Sequence, residues 1–212
     1  MSAEKPRERP ILFNEQMVRA ILEGRKTVTR RVMKPQPDFL GSMVDPNTPF
    51  KTLDAGLHAR ITCPYGEPGD RLWVREAWAA DAQVDAIAPR DLSQGEPIWY
   101  PADFSVRQTG CSMISKGRGR PSIHMPRWAS RVLLEITAVR VERLQDISEE
   151  QALAEGVHGE PCDHARQACS DIGCWGDTAK GAFGFLWEQL NGAGAWQANP
   201  WVWVVEFKRV TP

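Results

Sequence analysis

The residues best suited to chemistry lie in Leu22-Glu-Gly-Arg-Lys-Thr-Val-Thr-Arg-Arg31, which brings an ammonium, two hydroxyls and three guanidiniums together behind a glycine. Amide hydrolysis needs a nucleophile, a base that takes its proton and an acid for the leaving amine. Thr29 offers the hydroxyl and Lys26 the amine. A lysine acts as a base near neutral pH only when burial or neighbouring cations lower its pKa. Arg25, Arg30 and Arg31 supply such cations, and could equally bind a substrate or a phosphate. Geometry sets a condition. Side chains at i and i+3 of a regular strand leave opposite faces. Lys26 and Thr29 therefore converge only if the strand starts late or bulges after Gly24; otherwise Lys26 is solvated and Thr29 is an ordinary ladder residue.

Two further stretches carry reactive or charged groups. Cys162, His164, Cys169 and Cys174 place four soft ligands within thirteen residues. Thiolate and imidazole together suit Zn²⁺, and a closed set of four would be a structural site. The spacing is not that of a two-residue cysteine knuckle, so the same residues also fit a loop with incidental thiols. The second stretch, residues 105–131, holds six Lys/Arg and no acid. Its glycines leave the backbone free to follow phosphates, with Arg118, Arg120 and Arg127 as candidate contacts. A flexible solvated loop is the alternative for these cations, whereas Trp128 beside Arg127 is expected in the core rather than stacked on a base.

The elements that must position these groups are legible from local signals. Asn14 caps a short helix whose apolar residues Met17, Val18, Ile21 and Leu22 share a face, and Gly24 ends it. Thr27-Val28-Thr29 then turns into a strand. Arg71 to Trp78 reads as a strand. In Arg131 to Leu144 the apolar parity changes between Ile136 and Val139, as at the corner of a small barrel. Ser148-Glu-Glu-Gln151 is a capping box opening a second helix that Gly156 closes. A third helix runs through about Thr178 to Leu190, and Trp201 to Val210 is a final central strand. Residues 34–68, 79–127 and 157–177 read as loop insertions, with a short strand near Ile98–Tyr100.

Composition narrows the class. A chain of 212 residues with 25% charged residues and a net charge of −1 is neither disordered nor a generic polyanion binder. No apolar run reaches the roughly 18 residues that span a bilayer, and the N-terminus lacks a signal-peptide core. Together with five cysteines, an odd number, this predicts a cytoplasmic protein without membrane partners. Residues 1–37 carry nine Lys/Arg against four acids, whereas residues 144–177 carry eight acids against one Arg. There is no phosphate-binding Walker loop, dinucleotide fingerprint or serine nucleophile elbow.

Gly24-x-Lys26-x-x-Thr29-x-Arg31 resembles the G-x-K-x-x-E/T-x-R signature of the ASCH domain, of the PUA-like superfamily. Its threonine version is similar to the small bacterial amidohydrolases that deacylate N4-acetylcytidine. Pro68 to Glu76, Leu144 to Val157 and Trp201 to Val210 resemble the later family segments in the same order, so that the likeness covers roughly half of the chain. The Cys-Pro-Tyr-Gly and Asn-Pro-Trp-Val-Trp segments resemble ASCH proteins carried by phages. The resemblance implies one α+β domain over residues 1–212, a small PUA-like β-barrel with flanking helices and long insertions. It implies Lys26, Thr29 and Glu155 as catalytic residues, Glu155 carrying the proton to the leaving nitrogen, with no cofactor needed. The expected partner is a modified cytosine nucleoside or a single-stranded nucleic acid. A non-catalytic RNA or modified-base binding module is the alternative, and a ribonuclease a weaker one.

Overall fold

The computed structural model describes residues 6–36, 51–53, 60–158 and 178–210. They form an α+β protein of two compact units that alternate along the chain. The first comprises residues 1–23, 69–135 and 208–212; the second comprises residues 24–68 and 136–207. Strands β8 (Leu133–Arg143) and β9 (Trp201–Val210) are each divided between the two.

In the first unit, β1 (Glu8–Leu12) pairs in parallel with β5 (Arg71–Arg75), and Arg71–Trp73 pairs antiparallel with Leu133–Glu135 of β8. Helix α1 (Glu15–Leu22) starts where Asn14 accepts a hydrogen bond from the Met17 amide. It buries Val18, Ala20 and Ile21, as its apolar spacing requires. Residues 79–127 are more ordered than an irregular insertion. The backbone of residues 116–120 runs antiparallel to residues 78–81, through the Trp78–Arg120 and Asp81–Lys116 bridges. Gly117 fits there because a Cβ would meet the Ala80 carbonyl at 2.9 Å and the Asp85 carboxylate. Strands β6 (Ile98–Tyr100) and β7 (Ser105–Arg107) make a hairpin. Its inner face packs into a core of Trp78, Ala80, Leu92, Ile98, Tyr100, Met125 and Ala129. Trp128 lies partly buried against the same core, as expected.

In the second unit, β2 (Val28–Val32) pairs antiparallel with Val202–Glu206 of β9, whose other neighbour is β8. Residues Val202 to Val205 are all buried, so both faces of β9 are covered there. On β8, Ile136 and Val139 are buried while Thr137 is exposed, the parity change read from the sequence. Helix α2 (Glu149–Ala154) opens with the full Ser148–Gln151 capping box. Helix α3 (Ala179–Asn191) opens at Thr178 and lays Phe183 and Trp187 on a core with Val28, Leu144, Ile147 and Val204. A further two-stranded ladder joins β3 (Lys51–Leu53) to β4 (Arg60–Thr62). In neither unit do the described strands close into a barrel.

Candidate active site

The strand starts late at the corner after α1, as the sequence condition requires, but this does not bring Thr29 onto Lys26. Gly24 turns the chain at φ +76°, a backbone region that disfavours a Cβ. Strand β2 begins only at Val28, so Lys26 stands outside its alternation. Lys26 instead forms an isolated antiparallel bridge with Glu155, and the Thr27 amide donates to the Ala154 carbonyl at 2.8 Å. Glu155 is the residue that caps the C-terminus of α2, and Gly156 turns away behind it at φ +84°. Backbone pairing thus holds together two residues that are 129 positions apart.

Lys26 Nζ faces three acceptors: Glu155 Oε2 at 2.6 Å, the Val28 carbonyl at 2.8 Å and the Glu155 carbonyl at 2.9 Å. The Lys26 side chain is 0% exposed and that of Glu155 3%. Burial is the largest influence on the amine and pulls its pKa below 10.5. The Glu155 carboxylate opposes this, and the charges of Arg31 and Arg30 add to the lowering. The residue types that suggested a depressed lysine therefore do stand around one.

Thr29 is buried, opposite Val205 on β2. Arg30, its neighbour in the strand, sends its side chain to Glu155, so the Thr29 side chain leaves the other face. Among the described residues no hydrogen bond joins the Thr29 hydroxyl to Lys26 or Glu155. The structure therefore brings two members of the expected triad into contact and leaves the third in the strand beside them.

Most of the expected binding cations are engaged within the protein. The Arg30 side chain is 0% exposed. It donates to Glu155 Oε1 at 3.3 Å, Glu142 Oε2 at 3.2 Å and Gln151 Oε1 at 2.8 Å. Gln151 also accepts from the Ser148 amide, which ties Arg30 to the first turn of α2. Arg25 donates to the Gly156 carbonyl at 3.1 Å and contacts His158 Nε2 at 3.3 Å, clamping the end of that helix. Arg31 is half-buried, and its charge reaches Lys26. In the first unit, Arg120 is buried, and its guanidinium donates to the Ile87 and Val84 carbonyls, both at 3.0 Å. It holds its own loop together. Arg127 pairs with Glu8 at 2.8 Å, whereas Arg118 is exposed.

Sequence reasoning missed Glu142, Arg140 and Glu206. Arg140 contacts both carboxylates, and Glu142 accepts from Arg30, so that charges of alternating sign run from Lys26 to Glu206. Arg140, Glu206, Gln151, Thr27 and Val28 line a cavity of about 260 Å³ beside this chain of charges. Arg140 and Glu142 share a face of β8 by their spacing, but their partner strand could not be read locally.

Cys162, His164, Cys169 and Cys174 lie outside the described residues. Among the described residues no cluster of three or more His, Cys, Asp or Glu could hold a metal ion. No described helix is long and apolar enough to cross a membrane. No family model, curated protein or solved structure matches the chain.

Proposed function

We propose that the chain is an ASCH-type, PUA-like protein whose Lys26 centre hydrolyses the amide on N4 of an acylated cytosine nucleoside or a related base. The observation that carries this reading is the contact of 2.6 Å between Lys26 Nζ and Glu155, two residues that the resemblance pairs across 129 positions. The depressed pKa of the buried amine supports it, because only a neutral amine can accept a proton.

In this scheme Lys26 Nζ exchanges a carbonyl partner for the Thr29 hydroxyl and takes its proton as Oγ1 attacks the acyl carbon. Lys26 passes that proton to Glu155 across their 2.6 Å contact, and as the C–N4 bond breaks Glu155 delivers it to the leaving nitrogen. Water hydrolyses the threonine ester, returns the proton and releases the carboxylic acid. Arg30 keeps Oε1 of Glu155 occupied while Oε2 faces the lysine.

The test is incubation of the purified protein with N4-acetylcytosine, N4-acetylcytidine and its deoxy form, with acetate and the free base measured. The wild type should release both products, and Thr29→Ala should lose turnover by at least about a hundredfold while staying folded. Absence of acid from every acyl substrate, or a fully active Thr29→Ala variant, would sink the hydrolase reading.

The three acceptors around Nζ favour a second reading. They suit a protonated lysine holding a structural corner in a protein that binds a modified base without altering it. That reading expects binding of the nucleoside with no release of acid.

A further inference from the structure

The outward face of the β6–β7 hairpin carries features that the core does not explain. Ile98 and Tyr100 supply the inward face, and both are buried. Trp99 and Val106 are cross-strand partners on the opposite face, and Val106 is exposed. In the turn between the strands, Phe104 is 71% exposed and has φ +60°. A bulky aromatic residue in that backbone region is an outlier that costs free energy. Hydrophobic burial does not offset it, because the ring is in solvent.

The turn is nevertheless held firmly. Asp103 accepts from the Ser105 amide at 3.2 Å and from its hydroxyl at 2.8 Å. Arg131 donates to Asp103 and to Ser105 Oγ, and Glu76 grips the same guanidinium through two hydrogen bonds. The Trp99 ring backs that of Phe104 at 6.1 Å. Lys116 Nζ sits 3.9 Å from the Trp99 ring centroid, placed by its backbone bridge to Asp81. The hairpin thus presents a preorganised aromatic ring beside a cation. It opens the acid-free segment 105–131, in which Lys116 and Arg118 are exposed while Arg120, Arg127 and Arg131 are engaged within the protein. The neighbouring carboxylate Asp103 is engaged by Arg131.

We infer that Trp99, Phe104 and Val106, with Lys116, form a platform for single-stranded nucleic acid, on which Phe104 stacks an unpaired base while Lys116 faces a phosphate. A flat apolar ring next to a cation matches a nucleotide, whose base is a π surface and whose backbone is anionic. The exposed cations Lys116 and Arg118 favour this over an apolar protein partner. The inference is independent of the Lys26 centre and holds whether or not the protein deacylates anything.

Fluorescence anisotropy with labelled 15-mers of uridine and of thymidine, at two salt concentrations, tests it on the full chain. The wild type should bind. Phe104→Gly should weaken binding about fivefold or more and leave Tm unchanged or raised, since glycine adopts φ +60° without strain. Phe104→Trp should keep the affinity within a few-fold. Lys116→Ala should weaken binding and flatten the log–log salt slope by about 0.7. Three results would overturn the inference: no binding by the wild type, equal affinity for Phe104→Gly, or a fall in Tm showing that the ring holds the hairpin together. Sedimentation of the same proteins covers the remaining case. Self-association that Phe104→Gly abolishes, with oligonucleotide binding unaffected, would assign the face to a second copy of the chain.

Discussion

In the first unit one guanidinium, Arg131, is shared by two carboxylates, Glu76 and Asp103. In the second unit one carboxylate, Glu155, is shared by two cations, Lys26 and Arg30. Glu76, Lys26, Arg30 and Glu155 are buried and Arg131 partly so, while Asp103 is exposed; the excess sign differs between the clusters, and so does the group that is able to change its charge. Burial alone would lower the pKa of Arg131, but its two carboxylates outweigh that and raise it. Burial pushes Asp103 up, yet hydrogen bonds from Arg131 and Ser105 prevail and bring it down to about 2. Burial raises Glu76 against the pull of Arg131, and raises Tyr100, under the guanidinium, to about 12. A cluster centred on arginine stays charged and acts as scaffold. In the other unit burial outweighs the single carboxylate, the titratable cation is a lysine, and its pKa falls. An excess of cation around a lysine leaves a group able to exchange a proton, as the proposed chemistry requires.

The sharpest way to break this contrast is to remove the arginine. Arg131→Met leaves Glu76 buried without its partner, and should cost about 3–5 kcal/mol in denaturant unfolding. Arg131→Lys should recover little of this, because a lysine cannot reproduce the paired hydrogen bonds to Glu76. A loss under 1 kcal/mol would mean that the cluster is not a scaffold.

Glu155→Gln should cost less, about 1–3 kcal/mol, because the lysine can relieve its isolation by giving up its proton. A loss as large as that for Arg131→Met would show that Lys26 stays charged, and would favour the structural-corner reading.

The pH dependence sharpens the point. The folded pKa of Lys26 lies below the unfolded value of 10.5. Between the two, the unfolded chain binds more protons, so its contribution to stability grows as pH rises through that window. Urea midpoints should therefore climb more steeply with alkaline pH in the wild type than in Lys26→Met; parallel curves would refute a depressed lysine.

The smallest effect belongs to Asp103. Its folded pKa, about 2, lies below the ordinary 3.8, so its contribution is present above 3.8 and disappears as pH falls to about 2. Asp103→Asn should flatten the acid limb of the stability curve slightly, and an unchanged limb would show that the contact with Arg131 contributes nothing.

Much of this architecture is written in short stretches of chain. The Asn14, Ser148–Gln151 and Thr178 caps, the Gly24 and Gly156 terminators and the buried run in β9 follow from neighbouring residues. Each depends on backbone hydrogen bonds or side-chain periods that span a few positions. The charged corner at Lys26 was legible for the same reason, and its late strand start follows from Gly24. Glu155 was legible only through the family resemblance. Tertiary structure alone decided which charges meet. Glu76 found Arg131; Arg30 turned into the protein; Arg120 folded onto its own loop. Those outcomes depend on strand register and on contacts between residues tens of positions apart or more. Charged side chains on a strand carry no local mark of their partner, because the same residue faces water or a buried carboxylate according to which strand lies beside it.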